Sequence, residues 1–266
     1  MRVALGIEYD GTAYNGWQRQ KTGIGIQALV EEAITSVADE AVEVVCAGRT
    51  DTGVHASGQV VHFDSNAERS SRSWLLGVNA GLPDDINANW AVFVDDEFHA
   101  RFSATSRTYR YLILNRLVRS ALRRNRAWWV YEPLDEQAML EASKDLLGEH
   151  DFSAFRATRC RASTPVREIQ SLQVSRNGDW ITVTVTANAF LQHMVRNITG
   201  LLVAIGKGDK TPAWAKSVLE SRDRKKGGVA APPQGLTLID VEYPEGYKIP
   251  QGTDPDLPGF VYDAGL

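Results

Sequence analysis

Cysteine is scarce in this chain: Cys46 and Cys160 are the only two among 266 residues. Two thiols give neither a disulfide framework nor a zinc quartet, and they fit a reducing, cytoplasmic setting. Long apolar runs are missing as well. No stretch approaches the roughly 18 apolar residues of a membrane helix, and the opening Met1 to Glu8 meets charge too early for a signal peptide. The phosphate-gripping pattern Gly-x4-Gly-Lys-Ser/Thr does not occur, so a nucleotide-binding loop has no support. The histidines (His55, His62, His99, His150 and His193) show no metal-ligand spacing. With 43% hydrophobic and 23% charged residues, the chain is globular rather than disordered. The expectation is a soluble cytoplasmic protein with no metal and no membrane partner.

An excess of positive charge is also lacking. The net charge of −4 argues, taken alone, against a nucleic-acid partner. The charge is unevenly placed, however. Arg116, Arg119, Arg123, Arg124 and Arg126 follow one another with no acid among them, and further basic groups are Arg101/Arg107/Arg110, Arg156/Arg159/Arg161/Arg167 and Arg222/Arg224/Lys225/Lys226. Acids gather at Glu31-Glu32, at Asp95-Asp96-Glu97 and between Asp254 and Asp263. Any one basic cluster reads as a solvated face. Four of them point toward a polyanion, because a phosphate backbone responds to local potential rather than to net charge.

Hydrophobic patterning predicts a strand over Val3 to Tyr9, then a glycine-rich loop to Gly25 that carries Gly16-Trp17-Gln18. Ile26, Leu29, Val30, Ala33, Ile34 and Val37 have the spacing of an amphipathic helix. Strands ending at Cys46 and running from Gln59 to Phe63, a helix from Ser73 to Ala80 and a strand from Ala88 to Val94 complete a β-α-β-β-α-β order. The order then recurs: a strand over Thr108 to Leu114, an insertion with the arginine cluster and Trp128 to Tyr131, and a helix over Asp135 to Leu147. A hairpin turning at Asn177-Gly178 follows, then helices over Phe190 to Ile205 and Pro212 to Ser221 and a strand over Leu236 to Tyr243. The fold class expected is α+β, two ferredoxin-like halves with antiparallel sheets meeting at a central catalytic cleft. The expected divisions are 1–104, 105–245 and an extended tail over 246–266.

Two stretches carry chemistry. Cys46-Ala47-Gly48-Arg49-Thr50-Asp51-Thr52-Gly53-Val54-His55 sets one carboxylate in a turn with glycines on both sides, where backbone can be closely approached. On composition alone the turn reads equally as an ordinary hairpin in which Asp51 bonds its neighbours. The second stretch is the apolar helix from Phe190, whose one charged group between Asn188 and Lys207, with His193 neutral, is Arg196. An arginine in such a helix either emerges to solvent or meets a carboxylate. Pairing with Asp51 would keep that carboxylate ionised and fixed in direction.

Four blocks in order then resemble the tRNA pseudouridine synthase A family (the TruA family). They are Gly48-Arg49-Thr50-Asp51-x-Gly53-Val54-His55-Ala56; the segment from Phe98 to Tyr111; Phe190-Leu191-x-x-Met194-Val195-Arg196-x-Ile198-x-Gly200; and Ala231-Pro232-Pro233-x-Gly235-Leu236. The resemblance runs from residue 3 to about 243. Thr52, where the family more often has alanine, and the tail after Tyr243 depart from it. The resemblance implies isomerisation of uridine to pseudouridine at positions 38, 39 or 40 in the anticodon stem-loop of tRNA, with no cofactor or metal, by a homodimer. It implies that Asp51 is the essential carboxylate and that Arg196 pairs with it. It also implies that Tyr109 stacks on the extruded uracil, that Leu236 packs nearby and that Arg49 occupies space near the flipped base.

The reaction breaks the N1–C1′ bond, turns the uracil and joins C5 to C1′, and it consumes neither redox equivalents nor phosphate energy. Asp51 can serve as nucleophile at C1′ or as base at the ribose 2′ carbon, and the residues do not choose between these. Two other readings stay open: a non-catalytic RNA-binding protein, and a hydrolase of glycosidic bonds. The hydrolase would normally want a second catalytic acid, which the motif region does not offer.

Overall fold

The computed structural model describes residues 1–158, 160 and 162–250. In chain order its strands are β1 (Arg2–Tyr9), β2 (Val45–Cys46), β3 (His55–Asp64), β4 (Ile86–Val94), β5 (Ser106–Asn115), β6 (Trp128–Val130), β7 (Gly148–Asp151), β8 (Val166–Asn177), β9 (Trp180–Ala187) and β10 (Leu236–Glu242). The helices are α1 (Ile26–Ala38), α2 (Ser71–Gly81), α3 (Glu136–Lys144), α4 (Met194–Gly206) and α5 (Trp214–Ser221). The chain is mixed α+β and its strand pairings are mostly antiparallel. It divides into two compact units, one made of residues 1–107 with the chain from Thr237 onward, the other of Thr108–Leu236.

In the first unit β3 is the central strand, buried along all but its last residue. One edge of β3 pairs with β1, which pairs in turn with β4. Its other edge is shared: β10 runs parallel to it at Thr237↔His55 and Leu238↔Ala56, and β2 runs antiparallel at Val45↔His62 and Cys46↔Val61. The helix α1 buries Ile26, Val30, Ala33 and Ile34 of the expected stripe together with Ala38, while Leu29 and Val37 are half-buried. Glu31 is buried with them and is satisfied there: its Oε1 accepts from Gln27 Nε2 at 2.9 Å and from the backbone N–H of Val44 at 3.0 Å. Ser70 caps α2, its hydroxyl accepting from Ser73 N.

The second unit orders its strands β5-β9-β8-β7, with β6 parallel to β5. The hairpin pairs Asn177 with Trp180, so its turn residues are Gly178 and Asp179, one position later than the Asn-Gly pattern suggests. Gly178, at φ 58°, supplies the left-handed residue. The segment expected as a plain insertion contains β6, and the helix expected to reach Leu147 stops at Lys144, with β7 starting at Gly148. Asp135 does cap α3, its carboxylate accepting from Gln137 N and Ala138 N. The helix α4 begins at Met194 rather than Phe190 because His193 takes a left-handed conformation at φ 64°. Nearly every residue of α4 is buried, among them Ile198, Leu201, Leu202 and Ile205. Each such side chain contributes roughly 1.5–3 kcal/mol.

The expected tail over 246–266 lies outside the described residues from 251 onward, as do Arg159 and Arg161 of one basic cluster. Among the described residues no helix is long and apolar enough to cross a membrane.

Candidate active site

The turn carrying Asp51 occupies residues 47–54, between β2 and β3. Its backbone is held from several directions within the first unit. Ala47 N donates to Val60 O at 2.8 Å. Next along, Gln59, fully buried on β3, takes Gly48 at both ends: Gly48 N donates to Gln59 Oε1 at 3.2 Å, and Gln59 Nε2 donates to Gly48 O at 2.5 Å. The hydroxyl of Thr50 lies 2.7 Å from that of Tyr9, and its carbonyl accepts from Trp17 N at 3.1 Å. Asp51 O accepts from Val54 N at 3.1 Å, closing a turn in which Gly53 adopts φ 75°. Gly16, at φ 87°, comes so close that a Cβ there would stand 2.6 Å from Thr50 O and 2.9 Å from the carbonyl carbon of Asp51. The loop with Gly16-Trp17-Gln18 is therefore a brace beneath the turn, and the buried Trp17 ring packs 5.9 Å from that of Tyr9. Asp51 is half-buried and Arg49 is exposed.

Two further groups secure this region. Arg107, grouped by sequence with a basic face, is buried at 7% exposure. Its guanidinium donates to the carbonyls of Ala104 (3.2 Å), Ala47 (3.2 Å) and Arg101. That charge braces backbone instead of facing solvent. Burial pushes the Cys46 thiol up to about 12, with the Arg49 and Arg101 charges acting in the opposite direction. A thiol so raised stays protonated and inert at neutral pH. On β3, burial lowers His62 to about 4, helped by the nearby Arg2 and His99, and its Nδ1 accepts from Ala100 N at 3.1 Å.

In the second unit the other three candidates sit on braced backbone of their own. Tyr109 on β5 is buried, with its ring edge-on to Phe190 at 5.0 Å. Arg196, in the first turn of α4, is half-buried and exchanges two bonds with Ala231: Nε donates to Ala231 O at 2.8 Å, and Ala231 N donates to Arg196 O at 2.9 Å. Gly200 lets that loop approach, since a Cβ there would stand 2.0 Å from Val229 O. Tyr111 donates its hydroxyl proton to Pro232 O at 2.7 Å, and its ring fills the space beside Gly235, immediately before the buried Leu236. Burial raises the Tyr111 phenol well above its ordinary range, so it stays a donor.

The structure thus joins Arg49 and Asp51 in one turn of the first unit, while Tyr109, Arg196 and Leu236 belong to the second, each on its own element. Sequence reasoning missed the bracing set of Tyr9, Gly16, Gln59 and Arg107. Of these only Gly16 carried a signal, as a glycine in a polar turn beside a tryptophan; buried polar side chains such as Gln59 leave no periodic trace. Among the described residues no group of three or more His, Cys, Asp or Glu side chains could hold a metal ion.

The chain is a mixed α+β protein with Asp51 in a braced, glycine-bounded turn. Comparison with known proteins gives its family. A family model described as tRNA pseudouridine synthase matches residues 6–103 and 142–244, and the chain belongs to that family. Curated relatives named tRNA pseudouridine synthase A are 52% identical over 251 residues in Pseudoalteromonas atlantica, covering 94% of this chain and 95% of that one. In Vibrio campbellii the identity is 51% over 251 residues, with the same coverage, and in Alcanivorax borkumensis 52% over 250 residues, covering 94% of each chain. A chain from a crystal structure of a Cbf5-Nop10-Gar1 complex aligns at 12% identity and a TM-score of 0.35, over 76% of this chain and 45% of that one.

Proposed function

We propose that this protein isomerises uridine to pseudouridine in the anticodon stem-loop of tRNA, at positions 38, 39 or 40, with Asp51 as the essential carboxylate. The observation that carries this reading is Asp51 in a turn whose backbone is held by Gln59 and Trp17 and whose Thr50 hydroxyl is bonded to Tyr9, in a chain that belongs to the tRNA pseudouridine synthase family. A nucleophile or base must meet its target atom in a fixed direction, and a loosely held turn would not provide that.

In this reading two ferredoxin-like halves form the catalytic cleft. Their supporting feature is the β-α-β-β-α-β order of the first 94 residues, with strand order β4-β1-β3 and β2 on the far edge of β3. A paired uridine cannot reach a carboxylate from inside a stem, so the nucleotide is extruded at a cost of a few kcal/mol. Arg49 fills space beside the extruded base, Tyr109 stacks on the uracil and Leu236 packs beside it. Arg196 pairs with Asp51. Either the carboxylate attacks C1′ as N1–C1′ breaks and is displaced when C5 joins C1′, or it takes the 2′ proton as N1–C1′ breaks and returns it when C5 joins C1′; the uracil turns in between, the C5 proton leaves and N1 takes up a proton. The enzyme works in the cytoplasm as a homodimer on tRNA, without cofactor.

The test is incubation of the purified protein with tRNA tritiated at uridine C5 and with nothing else added. Tritium release by the wild type and none by Asp51→Asn is the expected result. Full activity in the Asn variant would refute the mechanism, and free uracil as product would favour glycosidic hydrolysis.

A further inference from the structure

Apart from the candidate catalytic residues, the first unit displays one aromatic ring in an unusual setting. Phe102 is 76% exposed. Single exposed apolar side chains are common, but this one sits on a turn built to hold it still. His99 Nδ1 accepts from the backbone N–H groups of Arg101 (3.2 Å) and Phe102 (3.1 Å). Ser103 N donates to His99 O at 2.9 Å, and His99 N donates to Ser103 Oγ at 3.0 Å. Burial pushes the His99 imidazole below its ordinary value, keeping it neutral and able to accept. Its ring stacks on Phe102 at 4.4 Å with 29° between planes, and the exposed Arg101 guanidinium lies 5.4 Å from the Phe102 centroid. The turn is also tied to the Asp51 turn, because one Arg107 nitrogen, Nη2, donates to both Arg101 O and Ala47 O.

An exposed ring backed by a stacked imidazole, with an exposed guanidinium over it that can turn aside to a phosphate and the candidate catalytic turn close by, has the make-up of a nucleotide platform. Aromatic faces accept any base, and an adjacent cation takes the phosphate. Extruding a uridine leaves neighbouring bases short of stacking partners, which such a ring can replace. We infer that Phe102 and Arg101 form an RNA contact beside the Asp51 turn, Phe102 stacking on a base next to the target nucleotide and Arg101 binding its phosphate. The inference rests on the proposed function for its RNA substrate.

The test uses the full chain and unmodified transcribed tRNA, with affinity measured in the Asp51→Asn background and turnover in the otherwise native one. Phe102→Ala raises Kd and KM by roughly tenfold, a loss typical of one stacked base, while kcat stays within about twofold. Phe102→Tyr restores both constants. Arg101→Ala lowers the salt dependence of binding by about one phosphate contact. All three variants melt with the wild type. Wild-type Kd and KM in Phe102→Ala would overturn the inference, as would a Phe102→Leu variant that binds as well as Phe102→Tyr. So would a changed oligomeric state with unchanged RNA affinity, which would assign the ring to a second copy of the chain. Because affinity is read without turnover, absence of tritium release from the wild type would sink the proposed function and leave this comparison readable.

Discussion

The side-chain amide of Gln59 holds both polar groups of the Gly48 peptide backbone, its oxygen accepting from Gly48 N and its nitrogen donating to Gly48 O. The two residues are eleven apart, one on a buried strand and one entering the candidate catalytic turn. Gln59→Leu keeps the volume and removes both bonds, leaving a partly buried N–H and C=O unpaired. A loss of about 1–3 kcal/mol is expected, read as a lower urea midpoint at unchanged slope. Tritium release should fall further than stability alone explains; activity equal to wild type at temperatures where the variant is folded would show that the clamp does not position Asp51.

Gly16 separates positioning from stability. An alanine there brings a Cβ against Thr50 O and the Asp51 carbonyl carbon, on backbone at φ 87° that side chains rarely adopt. Relief of that clash displaces the backbone of Thr50 and Asp51 or the Gly16 loop against it. A kcat reduced by roughly 100-fold, the usual consequence of displacing a reacting group by about an ångström, is expected with tRNA affinity nearly intact. Equal losses in kcat and affinity would instead indicate collapse of the whole loop.

Arg196 offers a test of its own brace. Its Nε–H donates to Ala231 O, in the loop that leads to Leu236, and lysine has no such group. Tritium release should therefore fall in Arg196→Lys nearly as far as in Arg196→Ala, at temperatures where both are folded. Wild-type release from Arg196→Lys would show that the Nε bond is not needed.

His62 predicts a stability effect rather than a catalytic one. Burial lowers its pKa to about 4, against an unfolded value near 6.5. The unfolded chain therefore binds the extra proton first as pH falls. The contribution is fully present above about pH 6.5 and is lost progressively down to about pH 4. His62→Asn retains an acceptor for Ala100 N and removes the titration, so its melting temperature should fall less than that of the wild type between pH 6.5 and 5. Parallel curves would contradict the assignment.

The long periodic elements were readable from sequence because burial on one face writes a regular pattern. The helix α1 was expected to start at Ile26 and does, and β1, β4 and β10 fall within two residues of expectation. The failures have local causes. β3 starts at His55, four residues before the expected Gln59, because His55, Ala56, Ser57 and Gly58 are polar or small yet buried. There the His55 imidazole accepts from Gly11 N, and Gly58 leaves room for the Ile239 carbonyl, 2.2 Å from where a Cβ would stand. β6 and β7 span three and four residues, too few to show alternation. The motif residues of the candidate site stood out by residue type. Their supports did not, since a buried Gln, Tyr or Arg is recognised only by what it reaches.

The placement of β10 bears on how the protein is made. The strand that pairs with His55 and Ala56 comes about 180 residues later in the chain, after the whole second unit. During synthesis the N-terminal unit therefore waits, with the His55 end of its central strand uncovered, until residues 237 and 238 emerge from the ribosome. A product ending before Thr237 would keep that unpaired edge and be prone to strand-to-strand aggregation.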